Sequence, residues 1–207
     1  MGPTDFFEET ARACGFRHVA GLDEAGRGPL AGPVVAAAVI LPRLRSFPQL
    51  DDSKLISQED RQLLYDLITS QAQGWAIGVG SEQEIDRFNI LGATKLACCR
   101  ALASLSLRPD FLLLDALRLP MIPLPQREII KGDQLSLSIA AASIIAKVTR
   151  DRIMDTYHQR FPDYQFHIHK GYPTPDHLNR LQQFGPCEGH RRSFKPVREL
   201  LEPAVCP

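Results

Sequence analysis

The longest apolar run in the chain extends from Val34 to Leu41 and lies between Pro33 and Pro42. This run of eight residues cannot span a bilayer as a helix, which needs about 20. A short, valine-rich run bounded by prolines is typical of a strand that is buried on both faces of a sheet. The chain is therefore expected to fold around a central sheet. An apolar content of 44% with 23% charged residues suits a globular domain of this kind.

The order of the predicted strands and helices defines the fold class. Strands are predicted at residues 18–22, 32–41, 75–80, 111–114 and 128–130. Helices are predicted at about 57–69, after Ser81, at about 90–105, at about 135–158 and after Thr174, with a loop at 42–54. Later strands alternate with helices, which favours an α/β fold with a mixed central sheet flanked by helices. Because Pro, Gly, His and basic residues become frequent after residue 160, we expect a main domain (residues 1–160) and a small C-terminal helical extension (residues 161–207) that packs on it.

Carboxylates follow three of the predicted strands. Asp23 and Glu24 end the first strand, Asp115 ends the fourth, and Asp133 comes shortly after the fifth. Adjacent strand ends converge at the sheet edge where ligands usually bind. Carboxylates held together repel one another unless a cation joins them, and hard oxygen ligands select Mg²⁺ or Mn²⁺ over Zn²⁺. The pattern as a whole predicts a divalent-metal site, although any one of these acids could be a solvated turn residue.

The segment DEAGRG, residues 23–28, is the most specific motif. Its glycines let the backbone approach a ligand closely, and the backbone amides and carbonyls could recognise a ribose 2′-hydroxyl. Residues 26–31 also match the dinucleotide-binding pattern G-x-G-x-x-A, with Asp51 as the ribose-binding acid. That alternative is disfavoured because a strand is predicted where a helix should begin, and because Asp23 and Glu24 would repel a pyrophosphate.

Three further segments suit a nucleic-acid ligand. On the long predicted helix, polar residues recur at helical spacing and could contact phosphates, or could form an ordinary solvated face: Ser136, Ser143, Lys147 and Arg150. In HKGYPT, Tyr172 could stack on a sugar or base and Lys170 could bind a phosphate, although the segment is also a turn before a capped helix. The basic cluster at residues 189–195 could grip a duplex backbone or could simply begin a surface helix.

The charges are balanced overall but unevenly distributed. The chain has 24 basic and 24 acidic residues, whereas residues 143–198 have ten Lys and Arg against five Asp and Glu. An acidic site beside a basic flank is compatible with a polyanion that is bound through metal ions. A solvated surface with random asymmetry accounts for the charges alone at least as well.

The five cysteines indicate a reducing compartment. Their number is odd, Cys98 and Cys99 are adjacent, and no C-x-x-C occurs. The acidic N-terminus lacks the pattern of a signal peptide, so a cytoplasmic protein without membrane contact is expected. A zinc site can be imagined, but its spacing fits no common pattern; its members would be Cys187, His190, His167 and His169.

Eight segments of the chain, between about residues 17 and 198, resemble the bacterial ribonuclease HII family in the same order: GLDEAGRGPLAGPVVAAAVIL, DSKLIS, NIL, LLLDA, KGD, SIAAASIIAKVTRDRIM, HKGYPT and GHRRSFKPV. The resemblance implies a ribonuclease-H-like fold with a C-terminal helical extension. It also implies an endonuclease that cuts RNA in RNA–DNA hybrids and nicks 5′ of single ribonucleotides embedded in duplex DNA, leaving a 3′-hydroxyl and a 5′-phosphate. DSKLIS has one lysine where the family often has two, which leaves the role of Lys54 open.

The resemblance also assigns roles to individual residues. The catalytic, metal-binding positions, for Mg²⁺ or Mn²⁺, are Asp23, Glu24, Asp115 and Asp133. The positions that sense the 2′-hydroxyl are Gly26, Arg27 and Gly28, and Tyr172 takes the place that packs on the sugar at the RNA–DNA junction. The expected contacts to the nucleic-acid backbone are Ser143, Lys147, Lys170 and Asn89. The expected state is a monomer.

Two other functions are kept as alternatives. A nucleic-acid-binding module without enzymatic activity would use the acids structurally, and it would bind a hybrid without cutting it. A transposase or junction resolvase of the same fold would require branched DNA, and the GRG and HKGYPT segments disfavour it.

Overall fold

The computed structural model of the chain describes residues 2–43 and 57–202. Within these ranges the strands are β1 (Val19–Ala25), β2 (Val34–Ile40), β3 (Gly74–Gly80), β4 (Phe111–Asp115) and β5 (Gln126–Ile129). They form one mixed sheet in the order β3-β2-β1-β4-β5, in which β1 is antiparallel to β2 and parallel to β4. The predicted strands and mixed sheet are confirmed. Most of the predicted loop at 42–54, with Asp51 and Lys54, lies outside the described residues.

Seven α-helices accompany the sheet in the described parts of the chain. They are α1 (Phe6–Ala13), α2 (Gln58–Gln71), α3 (Glu82–Ser104), α4 (Leu137–Arg160), α5 (Phe166–His169), α6 (Pro175–Phe184) and α7 (Lys195–Leu201). The predicted caps are confirmed, because the side chains of Ser57, Ser81 and Thr174 each accept a hydrogen bond from a first-turn amide. The two helices predicted over residues 81–105 are confirmed: they adjoin within α3 and are separated by a kink at Asn89, whose φ of 59° is not helical.

Length alone does not make the longer helices membrane spans. Although α3 and α4 have 23 and 24 residues, no helix within residues 2–43 and 57–202 is apolar over enough of its length to traverse a bilayer.

Alternate side chains of β2 pack on opposite sides of the sheet. All of them are at most 1% exposed. Ala36 and Ala38 join a core with α3, whereas Ala37 and Val39 join a core with α2 and α4. The chain therefore forms three layers with the sheet in the middle, and the burial of both faces explains why β2 is an uninterrupted apolar run.

Helix α4 lies against β1 because a glycine removes the side chain between them. A Cβ atom on Gly21 would lie 2.2 Å from the carbonyl carbon of Ser138. Further along, the Ser143 hydroxyl contacts Asp23, and Arg150 lies against Gly26. The helix rises about 18 Å over these twelve residues, close to the span of about 16.5 Å for five residues of strand. Helix α4 and strand β1 therefore run side by side, in the same direction, toward the end of β1.

No helix or strand is predicted before residue 18, but the structure places helix α1 there. Glu8 of this helix is buried, and its Oε1 accepts hydrogen bonds from the Ser136 hydroxyl at 2.6 Å and from the Ser138 amide at 2.8 Å. Ser136 therefore fastens α1 to the start of α4. The expectation that it shares a ligand-facing side of the helix with Ser143 is wrong.

The segment after residue 160 contacts the turn that follows β1. The amide of Leu30 donates to the carbonyl of Gly171, and the amide of Arg191 donates to the carbonyl of Leu30, both at 2.8 Å. Phe166 and Ala31 belong to one small apolar cluster. These contacts bring the HKGYPT segment beside residues 26–33.

Candidate active site

A cavity of about 330 Å³ opens at the end of β1, and three carboxylates line it. Its lining consists of Asp23, Glu24, Ala25, Gly26, Arg27, Gly28, Asp115, Ser143, Lys147 and Tyr172. All of these residues except Ala25 are candidates for a site from the sequence alone. The structure brings them together from β1, β4, α4 and the HKGYPT segment.

The sheet register explains how the carboxylates meet. Leu22 of β1 pairs with Leu114 of the parallel strand β4, so Asp23 and Asp115 follow at adjacent positions. Asp23 accepts a hydrogen bond from the Glu24 amide at 2.7 Å, and Asp115 accepts one from the Gly132 amide at 2.7 Å. Glu24 pairs with the guanidinium of Arg27 at 3.1 Å. Each carboxylate is thus oriented by at least one donor of the protein.

The electrostatics of this group are unfavourable without a cation. Asp23 is only 6% exposed, and burial raises its pKa well above the ordinary value. The negative charges of Glu24 and Asp115 raise the pKa of Asp23 further, while hydrogen bonds from the Ser143 hydroxyl and the Glu24 amide oppose the shift only in part. A set of oxygen donors that repel one another suits a hard divalent cation.

In the part of the chain that the structure describes, no three His, Cys, Asp or Glu side chains already stand as ligands of one ion. The carboxylates Asp23, Glu24 and Asp115 would therefore have to turn toward a common point to share a metal. This finding also counts against the zinc alternative. His167, one of its proposed members, is exposed, and its ring centroid lies 3.8 Å from that of His158.

Asp133 differs from the other three predicted acids because it does not line the cavity. It is buried in a 3₁₀ turn, Gly132–Gln134, that follows β5. The first amide of this turn is the one that holds Asp115. The structure therefore brings three of the four predicted acids to the cavity and places the fourth on the neighbouring turn.

Two buried arginines hold the backbone of the turn that follows β1. Arg191 donates to the carbonyls of Gly26 at 2.5 Å and of Arg27 at 2.9 Å, and Arg150 donates to the carbonyl of Pro33 at 3.1 Å. A Cβ atom on Gly26, whose φ is +97°, would lie 2.0 Å from Nε of Arg150. Only glycine allows both this conformation and this contact. Arg150 and Arg191 are therefore structural, and the expectation that they contact a ligand backbone is wrong.

Among the described residues, this arrangement leaves two backbone donors of the cavity lining without a protein acceptor. The chain has no cis peptide bond among its described residues, so the amide of a peptide unit points away from its carbonyl. The carbonyls of Gly26 and Arg27 point to Arg191, and the amides of Arg27 and Gly28 therefore point the opposite way. Within residues 2–43 and 57–202, neither amide donates to another protein atom. Two backbone N–H groups remain for a ligand. The dinucleotide alternative is wrong, because strand β2 follows these glycines.

The remaining predicted contact residues divide into two groups. Tyr172 is 42% exposed, and its Cε1 would lie 3.7 Å from a Cβ atom on Gly28. Ser143 and Lys147 also line the cavity, and Lys147 donates to Asp151 at 2.7 Å. Lys170 does not line the cavity and pairs with Asp155.

Asn89 also lies outside the cavity lining. Its Oδ1 accepts hydrogen bonds from the amides of Leu91 at 2.9 Å and Gly92 at 3.0 Å. In this position the side chain begins the second part of α3 as a helix cap.

Comparison with known proteins agrees with this architecture. The family model of Ribonuclease HII matches residues 20–197. The ribonuclease HII of Syntrophus aciditrophicus is 54% identical over 191 residues, covering 92% of this chain and 90% of the relative. That of Chlamydia trachomatis serovar A is 52% identical over 201 residues, covering 97% and 92%. The crystal structure of ribonuclease H2 from Pyrococcus horikoshii OT3 has a TM-score of 0.73 and 27% identity, covering 89% of this chain and 97% of that one.

The mixed sheet, with carboxylates at the ends of two adjacent strands, defines a nuclease of the ribonuclease-H-like fold. Among nucleases of this fold, the match of the family model over residues 20–197 identifies the family. The chain belongs to the ribonuclease HII family. It is an endonuclease that hydrolyses the RNA of RNA–DNA hybrids.

Proposed function

We propose that this enzyme also recognises a single ribonucleotide in duplex DNA and nicks the strand on its 5′ side, leaving a 3′-hydroxyl and a 5′-phosphate. The observation that carries the proposal is the composition of one cavity. It combines the carboxylates of Asp23, Glu24 and Asp115 with the two backbone amides of Arg27 and Gly28. One group of atoms suits metal-dependent cleavage and the other suits recognition of a sugar hydroxyl.

The carboxylates are the proposed ligands of two divalent ions, Mg²⁺ or Mn²⁺. Asp23, Glu24 and Asp115 would hold them, and Asp133 would join from the neighbouring turn. When bound, such ions supply a water of lowered pKa and take up charge on the leaving 3′-oxygen. The chain itself contributes fixed negative charge, and Ser143 keeps the Asp23 carboxylate oriented. Burial raises the pKa of Asp23 because it makes the charged carboxylate unfavourable, and bound cations would offset this free-energy cost.

Recognition of the ribonucleotide is proposed to depend on the backbone. The amides of Arg27 and Gly28 can donate to a 2′-hydroxyl, the group that distinguishes RNA from DNA. The half-exposed ring of Tyr172 can pack on the sugar at the junction. Ser143 and Lys147 would contact the scissile strand, whereas Lys170 and Asn89 would contact a duplex only if it extends beyond the cavity.

The proposal is tested with two DNA duplexes that differ by one 2′-hydroxyl. With Mg²⁺, we expect the duplex with one ribonucleotide to be nicked once, 5′ of that residue, and the all-DNA duplex to stay intact. The product should be extended directly by a DNA polymerase, because it ends in a 3′-hydroxyl. A long RNA–DNA hybrid serves as the control for family activity.

If the long hybrid is cut, three outcomes would contradict the proposal. They are no nick at the single ribonucleotide, a nick on its 3′ side, and similar cutting of both DNA duplexes. Binding of all three substrates without cleavage would instead support the non-enzymatic alternative. EDTA should abolish cleavage.

A further inference from the structure

Three buried histidines lie together behind Tyr172, outside the catalytic cavity. They are His169, His177 and His190, and each is at most 7% exposed. The rings of His169 and His177 stack with their centroids 4.3 Å apart. Nothing in the proposed chemistry uses these rings, so their hydrogen bonds require a separate explanation.

Two of the histidines form a chain of hydrogen bonds that ends on the backbone of Tyr172. The amide of Cys187 contacts Nδ1 of His190 at 3.1 Å. Nε2 of His190 lies 3.1 Å from Nε2 of His177. Nδ1 of His177 lies 2.8 Å from the carbonyl oxygen of Tyr172.

The partners at the two ends fix the position of every proton in this chain. A backbone amide can only donate, so Nδ1 of His190 accepts and its proton is on Nε2. A carbonyl can only accept, so the proton of His177 is on Nδ1 and its Nε2 accepts. All bonds therefore run in one direction, from Cys187 through His190 and His177 to Tyr172. Burial lowers the pKa of His177 to about 4 and that of His190 to about 3, which keeps both rings neutral.

The backbone at Tyr172 has local support, since its carbonyl also accepts a hydrogen bond from the Thr174 amide at 2.8 Å, and His177 adds support from helix α6. Lys170 and Gly171 both have positive φ, 50° and 83°, and a Cβ atom on Gly171 would lie 2.5 Å from the carbonyl oxygen of Ala31. Left-handed conformations cost free energy for non-glycine residues and persist only where the surroundings enforce them. Tyr172 is 42% exposed, and the Arg150 guanidinium lies 5.9 Å from the centroid of its ring, so the direction of the ring depends on the backbone together with this contact.

We propose that His177 and His190 are positioning residues for ribonucleotide recognition, acting through the carbonyl of Tyr172. The relay, meaning the two rings and their three hydrogen bonds, fixes the Tyr172 backbone so that its ring faces the cavity beside Gly28. The inference rests on the proposed function, in which Tyr172 packs on the sugar at the junction. It adds two residues that touch neither substrate nor metal.

A double-mutant cycle between His177 and Tyr172 tests the proposal. His177→Leu should lower kcat/KM about tenfold on the single-ribonucleotide duplex, the effect of one lost hydrogen bond, and less on a long hybrid. His177→Asn, whose amide can donate in place of Nδ1, should recover most of this loss. In the Tyr172→Ala background, His177→Leu should change kcat/KM by no more than about twofold.

Two controls separate positioning from folding. His167→Leu makes the same change at an exposed histidine of the same segment and should leave kcat/KM unchanged. Thermal denaturation reports whether each variant is folded. If His177→Leu does not fold, His190→Leu replaces it in the cycle, because it breaks the relay one bond further from Tyr172.

The outcomes distinguish this inference from the proposed function. Additive losses in the double mutant, equal losses on both substrates, or no recovery in His177→Asn would each overturn the relay while the junction contact stands. If Tyr172→Ala cuts the single-ribonucleotide duplex as well as the wild type does, the proposed junction contact is itself wrong, and the relay is rejected with it.

Discussion

Asp23→Asn is expected to lower the rate of hybrid cleavage at least about a thousandfold while the chain stays folded. Asp23 lies near enough to Glu24 and Asp115 for both charges to raise its pKa, and the amide of Asn carries no charge to hold a divalent cation. Losing one group that stabilises developing charge typically costs a factor of 10² to 10³, and losing a metal ligand costs more. Single-turnover cleavage with Mg²⁺, with folding checked by circular dichroism, measures the effect.

The matched control is Asp66→Asn, at an exposed acid on α2 whose side chain accepts a hydrogen bond from Gln62. Its cleavage rate should equal that of the wild type. A folded Asp23→Asn protein that keeps more than about a tenth of the wild-type rate would remove Asp23 from the catalytic centre.

Gly21→Ala is expected to destabilise the fold by at least about 3 kcal/mol, an effect typical of severe overpacking. The added Cβ would lie 2.2 Å from the backbone of Ser138 and 2.4 Å from that of Ile139. Backbone atoms cannot turn aside as a flexible side chain does, so α4 would have to move away from β1. Urea denaturation, followed by circular dichroism, gives the free energy of unfolding.

Gly74→Ala is the control for Gly21→Ala, since it adds the same methyl group to another strand of the sheet. Its Cβ would lie 3.5 Å from Leu107, an ordinary contact, so a loss below about 1 kcal/mol is expected. Equal losses for the two variants would show that close packing of α4 on β1 is not what Gly21 provides. Any folded Gly21→Ala protein should also cleave poorly, because moving α4 takes Ser143 away from Asp23.

The strands and most of the acidic site could be predicted because their signals are local. β2 is an apolar run, β4 is an apolar run that ends in Asp115, and DEAGRG begins within β1 and continues past its end. Parallel pairing of β1 and β4 then brings Asp23 and Asp115 together, and predicting this needs no further signal from the sequence. The same reasoning does not place Asp133 in the cavity, because this residue lies within a 3₁₀ turn after β5 and not at the end of the strand.

The supporting contacts could not be predicted because they join residues far apart in sequence. Arginine is almost never fully buried, so Arg150 and Arg191 looked like surface residues. Their partners are backbone carbonyls of residues 26–33, which no sequence pattern displays. Helix α1 was missed for a similar reason, since Glu8 bonds Ser138 across 130 positions. The histidine relay likewise joins Cys187 to Tyr172, which only the fold brings together.

The central claim is that the cavity tolerates its carboxylates because cations bind there. In the folded chain the pKa of Asp23 lies above its unfolded value, so this carboxyl destabilises the metal-free fold at neutral pH. The cost begins to fall once the pH drops below the folded pKa, and it is gone below the unfolded pKa. Removing the charge by Asp23→Asn should have the same effect at neutral pH.

The most direct measurement is therefore the Tm of wild type and Asp23→Asn at neutral pH, in EDTA and in excess Mn²⁺. In EDTA, we expect Asp23→Asn to melt at a higher temperature than the wild type. Mn²⁺ at about one hundred times its Kd should stabilise the wild type by about 2.7 kcal/mol, and the variant by much less. A wild-type Tm that Mn²⁺ leaves unchanged, together with a variant that is less stable than the wild type in EDTA, would contradict the account.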